Sequence, residues 1–267
     1  MPGRLALVLS LLCVFVIFCL GLGLYVGDLA KFQTAISAKE SQTALSGVND
    51  PEQLDQALKQ YPSNRFLKLV ALANRDWIDI DTTARNLLKE MEPRDFSKDF
   101  SKLSASSRSD LDAFGRDLKT AESNAATLAP GYVALVKDER AKVENAARAL
   151  NVENSTISEF MSIIDEQHAE MIKLTSEISA ARTEYYNASE RCVALLIREF
   201  GIYKVTDSQF IFPFPSTANS YNRAAAAMAA AAKRIAELED ERTTLRQSQP
   251  SRWKSFVDHQ VTGKRAA

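Results

Sequence analysis

The residues best equipped for chemistry are few. The chain has two histidines, His168 and His259, and one cysteine beyond residue 27, Cys192. His168 stands among Asp165, Glu166 and Glu170. A histidine among carboxylates is raw material for a divalent metal site or for proton transfer. A helical metal site needs further ligands three or four residues on, where only Glu170 and Met171 stand, so His168 is expected on a solvated acidic face. His259 lies beside Asp258 with no nucleophile motif around it. A single thiol outside the first 27 residues rules out a disulfide framework or a cysteine zinc site there, and Cys192 reads as a small core residue. Asp76, Asp79 and Asp81 surround Trp77 and Ile78, but the spacing and glycine of a calcium loop are missing, so helix capping is expected. Two Asn-x-Ser/Thr triplets, at Asn154 and Asn187, read as chance matches. No G-x-S-x-G, phosphate loop or dinucleotide fingerprint occurs. No catalytic residue, cofactor or metal is therefore assigned, and the chain reads as non-enzymatic.

A different chemistry appears in residues 201–219, centred on Phe210-Ile211-Phe212-Pro213-Phe214-Pro215. The two prolines predict an extended loop. Three phenylalanines in five residues favour burial, at roughly 1.5 to 3 kcal/mol each. Such a loop either plugs the ends of neighbouring helices or docks a partner or lipid. Phe210, Phe212, Phe214 and Tyr221 form this possible binding loop.

The elements that must position these residues are helical. Gly and Pro are scarce, at 9 and 8 in 267 residues, while helix formers are plentiful. Lys+Arg number 33 against 34 Asp+Glu, which argues against a nucleic-acid binder. Pro51 opens a helix that runs to about Gln60. A second is expected from Asn64 to Trp77 and a third from Asp79 or Asp81 to Pro93, as short hairpins. Residues 97–109 read as a polar loop around a short helix. Leu111, Phe114, Leu118, Ala121, Ala125 and Leu128 then mark a long amphipathic helix, interrupted at Pro130-Gly131 by a kink or turn. Val133, Val136, Val143, Ala147 and Leu150 continue the pattern. The clearest signal runs from about Asn154 to Phe200. Heptad a positions are Ile157, Ile164, Met171, Ile178, Tyr185, Cys192 and Glu199. The d positions are Phe160, Gln167, Leu174, Ala181, Ala188 and Leu195. This seam closes within the chain or against a partner. A last helix is expected from Ser220 to about Gln247, ended by Pro250, with Trp253, Phe256 and Val257 docking back from the tail.

Residues 5–26 carry no charge, and fifteen of them are Leu, Val, Ile or Phe. As a helix they would extend ~33 Å, enough to cross a ~30 Å hydrocarbon core. An uncleaved signal-anchor is expected, with the larger domain extracytoplasmic. Gly23 and Gly27 form a G-x-x-x-G pair at its edge, read as chance. The expected organisation is a transmembrane anchor over 1–27, short-helix hairpins over 28–93, a long-helix bundle over 94–249 and a tail over 250–267. The fold class is all-α, with a transmembrane helix followed by long antiparallel, coiled-coil-like helices.

Phe212-Pro213, a Ser/Ala-rich step and then Tyr221-Asn222 at a helix start resemble a segment of an uncharacterised family of enterobacterial envelope lipoproteins, across about Asp207 to Arg223. That resemblance implies a helical, membrane-tethered envelope protein and no activity. The family's lipidation site has no counterpart here. The function expected from residues and resemblance together is a membrane-anchored scaffold or partner-binding subunit. Its partners would be the membrane and another helical protein or a second copy, with no nucleic acid and no small-molecule ligand assigned. The alternative is a ligand- or lipid-binding sensor that uses the aromatic loop.

Overall fold

The computed structural model describes residues 36–46, 51–90, 92, 100–206 and 209–262. The expected anchor, residues 5–26, lies outside them. Among the described residues no helix is long and apolar enough to cross a membrane.

The described chain is all-α apart from one small hairpin. Helical residues 36–45 (α1) precede α2 (Pro51–Gln60) and α3 (Arg65–Glu90). A 3-10 turn, Phe100–Ala105, leads into α4 (Arg108–Ala149) and α5 (Asn154–Arg198). The strands β1 (Lys204–Thr206) and β2 (Gln209–Ile211) pair antiparallel before α6 (Pro215–Thr262). By contact the chain divides into two units. One comprises residues 1–71 and 249–267, the other residues 72–248.

Two expected breaks are not breaks, and of the kink or turn expected at Pro130 the turn is absent. The short helices expected on either side of Trp77 are one helix, α3. Its buried residues Phe66, Leu69, Val70, Ala73, Trp77, Ile80, Ala84 and Leu88 keep steps of three and four throughout. Asp76 and Asp81 therefore lie inside a helix, where they cap nothing. α4 runs on through Pro130, which is exposed, as is Ala126, whose carbonyl loses its amide partner. Water can take that bond's place. Continuity also changes the phase: Tyr132, not Val133, follows Leu128 into the core, and Val133 stays 43% exposed. α6 runs through Pro250 in the same way, with exposed Arg246 giving up the bond, and it begins earlier than Ser220, at Pro215. Proline suits that first helical position because its φ is already helical.

In the first unit, Asn64 ends the turn after α2 and caps α3 by accepting the Leu67 amide (3.0 Å). It also accepts the Ser41 hydroxyl (2.8 Å) and donates to the Ser37 carbonyl (2.8 Å), which ties α1 to the start of α3. Trp253 and Phe256 are buried there in ring contact, and Phe66 meets Phe256 at 6.4 Å. The residues expected to dock back do so, but from within α6.

In the second unit α4 and α5 form an antiparallel hairpin. Arg140 meets Asp165, Glu122 meets Asn187, and Lys119 meets Glu190. Ser107 caps α4, and Asp110 returns the bond to the Ser107 amide (3.0 Å). Small residues let the two helices approach closely, and the Ser179 hydroxyl donates to the Ala125 carbonyl across the seam. Every expected a and d position of α5 is buried or half-buried. So are the e positions Met161, His168, Thr175, Ser189 and Leu196, so α5 is covered over more than a two-helix seam. The cover comes from the same chain. Trp77 and Leu88 of α3, Leu128 and Tyr132 of α4, and Leu238 and Leu245 of α6 share clusters with α5. α6 contributes Thr217, Ala224, Ala231 and Leu238, buried at seven-residue spacing.

Candidate functional site

Two regions of the second unit gather the residues of interest. The first is the hairpin end of the bundle. α5 terminates at Arg198, and Gly201 takes the left-handed conformation, φ +80°, that a side chain would resist. Glu199 is buried and accepts from Arg198 Nε (3.0 Å) and from the Thr217 hydroxyl (3.3 Å), which binds the end of α5 to the first turn of α6. In the hairpin Lys204 faces Ile211, Val205 faces Phe210 and Thr206 faces Gln209. Tyr203 packs on Phe210 (ring centroids 5.3 Å) and on Phe212 (5.9 Å). Tyr221 completes the cluster against Phe210 (5.7 Å) and Phe212 (5.1 Å).

The expected extended loop is therefore a hairpin followed at once by a helix, and its four aromatic residues separate into two roles. Phe210, Phe212 and Tyr221 pack against the core formed by Leu111, Leu118, Val193 and Leu196. Phe214 does not join them and stays 54% exposed. Pro213 and Pro215 fix the chain between Phe212 and α6, so these two phenylalanines leave on different courses. Burial pushes the Tyr221 hydroxyl up to about 12, with Cys192 and Tyr203 adding to the shift. Burial likewise pushes the Cys192 thiol up to about 11, which leaves it protonated and unreactive at neutral pH.

The second region is a polar layer inside the bundle, which sequence reasoning missed. His168 is buried, not solvated, and its Nε2 lies 2.8 Å from Asp76 Oδ2. The side chains are 6% and 4% exposed. The physical reason is the wide buried arc of α5, whose e face packs on α3. One turn along, Arg242 of α6 pairs with Asp81 of α3 at 2.7 Å and also donates to the Asp81 carbonyl (3.2 Å), while Arg85 meets the same carboxylate at 2.8 Å. Tyr132 enters from α4, and burial pushes its hydroxyl up to about 12. Among the described residues Asp76 Oδ1, Trp77 Nε1 and His168 Nδ1 have no hydrogen-bond partner. One signal could have disclosed this layer: the unbroken apolar phase of α3 places Asp76 beside core residues Ala73, Trp77 and Ile80.

Chemically, the His168–Asp76 pair is sealed from any substrate, and no reaction is assigned to it. Among the described residues no group of three or more His, Cys, Asp or Glu side chains could hold a metal ion. His259 is half-buried near the C-terminal end of α6. An open groove of about 620 Å³ runs between α5 and α6, lined by Leu174 and Leu245 and by the charged Glu170, Lys173, Glu177, Glu237, Asp240 and Glu241. None of the aromatic residues of the hairpin lines it.

Comparison of the chain with protein-family models, with curated proteins and with solved structures finds no match.

Proposed function

We propose that this protein is a membrane-anchored, non-enzymatic helical protein of the cell envelope that scaffolds or docks a partner. In this reading residues 5–26 cross the bilayer once and the helical domain lies on the extracytoplasmic side. One observation carries the docking part: the heptad seam of α5 is already covered by α3, α4 and α6, while large apolar side chains remain exposed on the outer surface around the hairpin. A seam filled from within leaves the surface as the place where another molecule binds. Cross-linking in intact cells, with recovery of the full chain in detergent, tests it. A discrete attached protein is the expected result. Recovery of the unattached chain alone would overturn the scaffold reading.

A second reading, a ligand-binding module, is favoured by the α5–α6 groove, whose apolar Leu174 and Leu245 and excess of carboxylates over Lys173 suit a cationic amphiphile. Thermal-shift screening against such compounds tests it, and Leu174→Ala should remove any shift found.

A further inference from the structure

Five of the nine large apolar side chains that are exposed among the described residues fall between residues 200 and 214: Phe200, Ile202, Val205, Ile211 and Phe214, each 38% to 54% exposed. They stand on a held frame. Phe210 packs on Tyr203 and Tyr221 (ring centroids 5.3 and 5.7 Å), which fixes one face of the hairpin to the bundle. Ile211 lies on the opposite face, with Lys204 across the ladder from it. β2 has β1 on one side and, among the described residues, no strand on the other. Gln209 and Ile211, which flank Phe210 along β2, are both exposed. An unpaired strand edge beside exposed apolar side chains is a template for another strand.

We propose that this edge is occupied by β2 of a second copy of the chain, paired antiparallel across a two-fold axis at Phe210. The product is a four-stranded sheet with the two β2 strands at its centre and the two β1 strands outside. This inference rests on the docking reading above and names its partner. The geometry of a strand makes it complementary to itself. Across a two-fold axis normal to the sheet it meets its own copy antiparallel and makes each bond twice, so one edge serves both molecules. A two-stranded ribbon is also marginal by itself, and four strands are not. The area fits a dimer. At ~150 to 250 Å² for a whole aromatic side chain and somewhat less for an aliphatic one, the five exposures amount to on the order of 400 Å². With roughly 57% of an interface apolar, that patch corresponds to about 700 Å², close to the ~800 Å² that each side of a stable interface takes. Charge favours a second copy over a foreign protein. Different proteins select each other by complementary charge patterns, and the described residues from 200 to 214 carry one charge, Lys204. Lys204 lies on β1, so joining through β2 keeps the two lysines three strand spacings apart. That is roughly 14 Å, beyond a screening length of about 8 Å. Joining through β1 would bring them together.

The test places the photoreactive residue p-benzoylphenylalanine at position 211 of the full chain, in cells that also make a tagged copy of the unaltered chain. After irradiation the products are recovered in detergent and mapped by mass spectrometry. A link from position 211 to residues 200–214 of the tagged copy is expected. It should fall several-fold when the tagged copy carries Ile211→Ser and Phe214→Ser, both at exposed positions, with its circular dichroism unchanged. The same probe at position 133, where Val133 is exposed on α4, should give no such product. Equal linkage from position 133 would show crowding in place of pairing and overturn the dimer. A link from position 211 to a different protein overturns the second copy and leaves the docking reading standing. A link to the tagged copy outside 200–214 overturns the shared sheet. No link from position 211 overturns both the dimer and the use of this surface for docking.

Discussion

His168 and Asp76 hold each other inside the bundle, where both side chains are almost wholly buried. Removing one leaves the other buried with an unmet bond, which costs more than the pair contributes. His168→Ala should therefore lower unfolding free energy by about 3 kcal/mol. The double variant Asp76→Leu, His168→Leu should recover much of that loss, because no polar group is left stranded. Urea unfolding of the four proteins makes the comparison. The buried tyrosines give a pH signature. Tyr132 and Tyr221 have hydroxyls raised to about 12 by burial. A group raised in the folded state contributes its full stability below its unfolded pKa of about 10 and loses it as pH climbs through the folded value. Thermal stability should fall between about pH 10 and 12, and the fall should be smaller in Tyr221→Phe, which has no proton to release. His168 also shows how far single residues were legible. Its neighbours Asp165, Glu166 and Glu170 suggested a solvated face, but the three acids lie beside the helix stripe that α3 covers and His168 lies on it.

The hairpin and its flanking helices are where similar residues part company. Phe212 is buried among Tyr203 and Tyr221, and Phe214, two residues on, is not. Phe212→Ala should cost about 3 to 5 kcal/mol through lost contacts and the cavity left behind. Phe214→Ala should change stability by no more than about 0.5 kcal/mol. Denaturant midpoints of the two variants decide between this division of roles and a uniformly buried loop. Elements with local signals were readable. Pro51 opens α2, the polar stretch before α4 holds its short 3-10 turn, and the heptads of α5 are buried as the pattern required. Elements interrupted by proline were not. Pro130 and Pro250 each remove one amide, and neighbouring turns with exposed carbonyls tolerate that loss. Whether a proline ends a helix depends on what the rest of the helix gains by continuing. For α4 that is the burial of Tyr132, Val136 and Val143, and for α6 that of Trp253, Phe256 and Val257.

At the scale of the molecule, α5 is the central element of residues 72–248, with α3, α4 and α6 each packed on it. The hairpin β1–β2 is the opposite case, two strands of three residues with mostly exposed side chains. A two-stranded ribbon of this size is marginal by itself and depends on Tyr203 and Phe210 for attachment. Amide exchange should therefore be slowest along buried stretches of α5 and fastest, among hydrogen-bonded amides, in the hairpin. Exchange in the hairpin as slow as in α5 would mean that the tip is built into the core more deeply than its exposure indicates.

The sequence by itself determined the helical class, the long α4 and α5, and the heptad seam, because these follow from periodicity and from the scarcity of helix breakers. It also showed that the aromatic stretch had to resolve its exposure in some way. Only the tertiary structure decided that the seam closes within the chain, since a homodimer and an intramolecular bundle share one heptad pattern. It alone decided that Asp76 meets His168 across 92 residues and that Asp81 meets Arg242 across 161. Periodicity reports which face of a helix is covered. It carries no information about which distant helix covers it, and the chemistry of a buried polar layer depends on that partner.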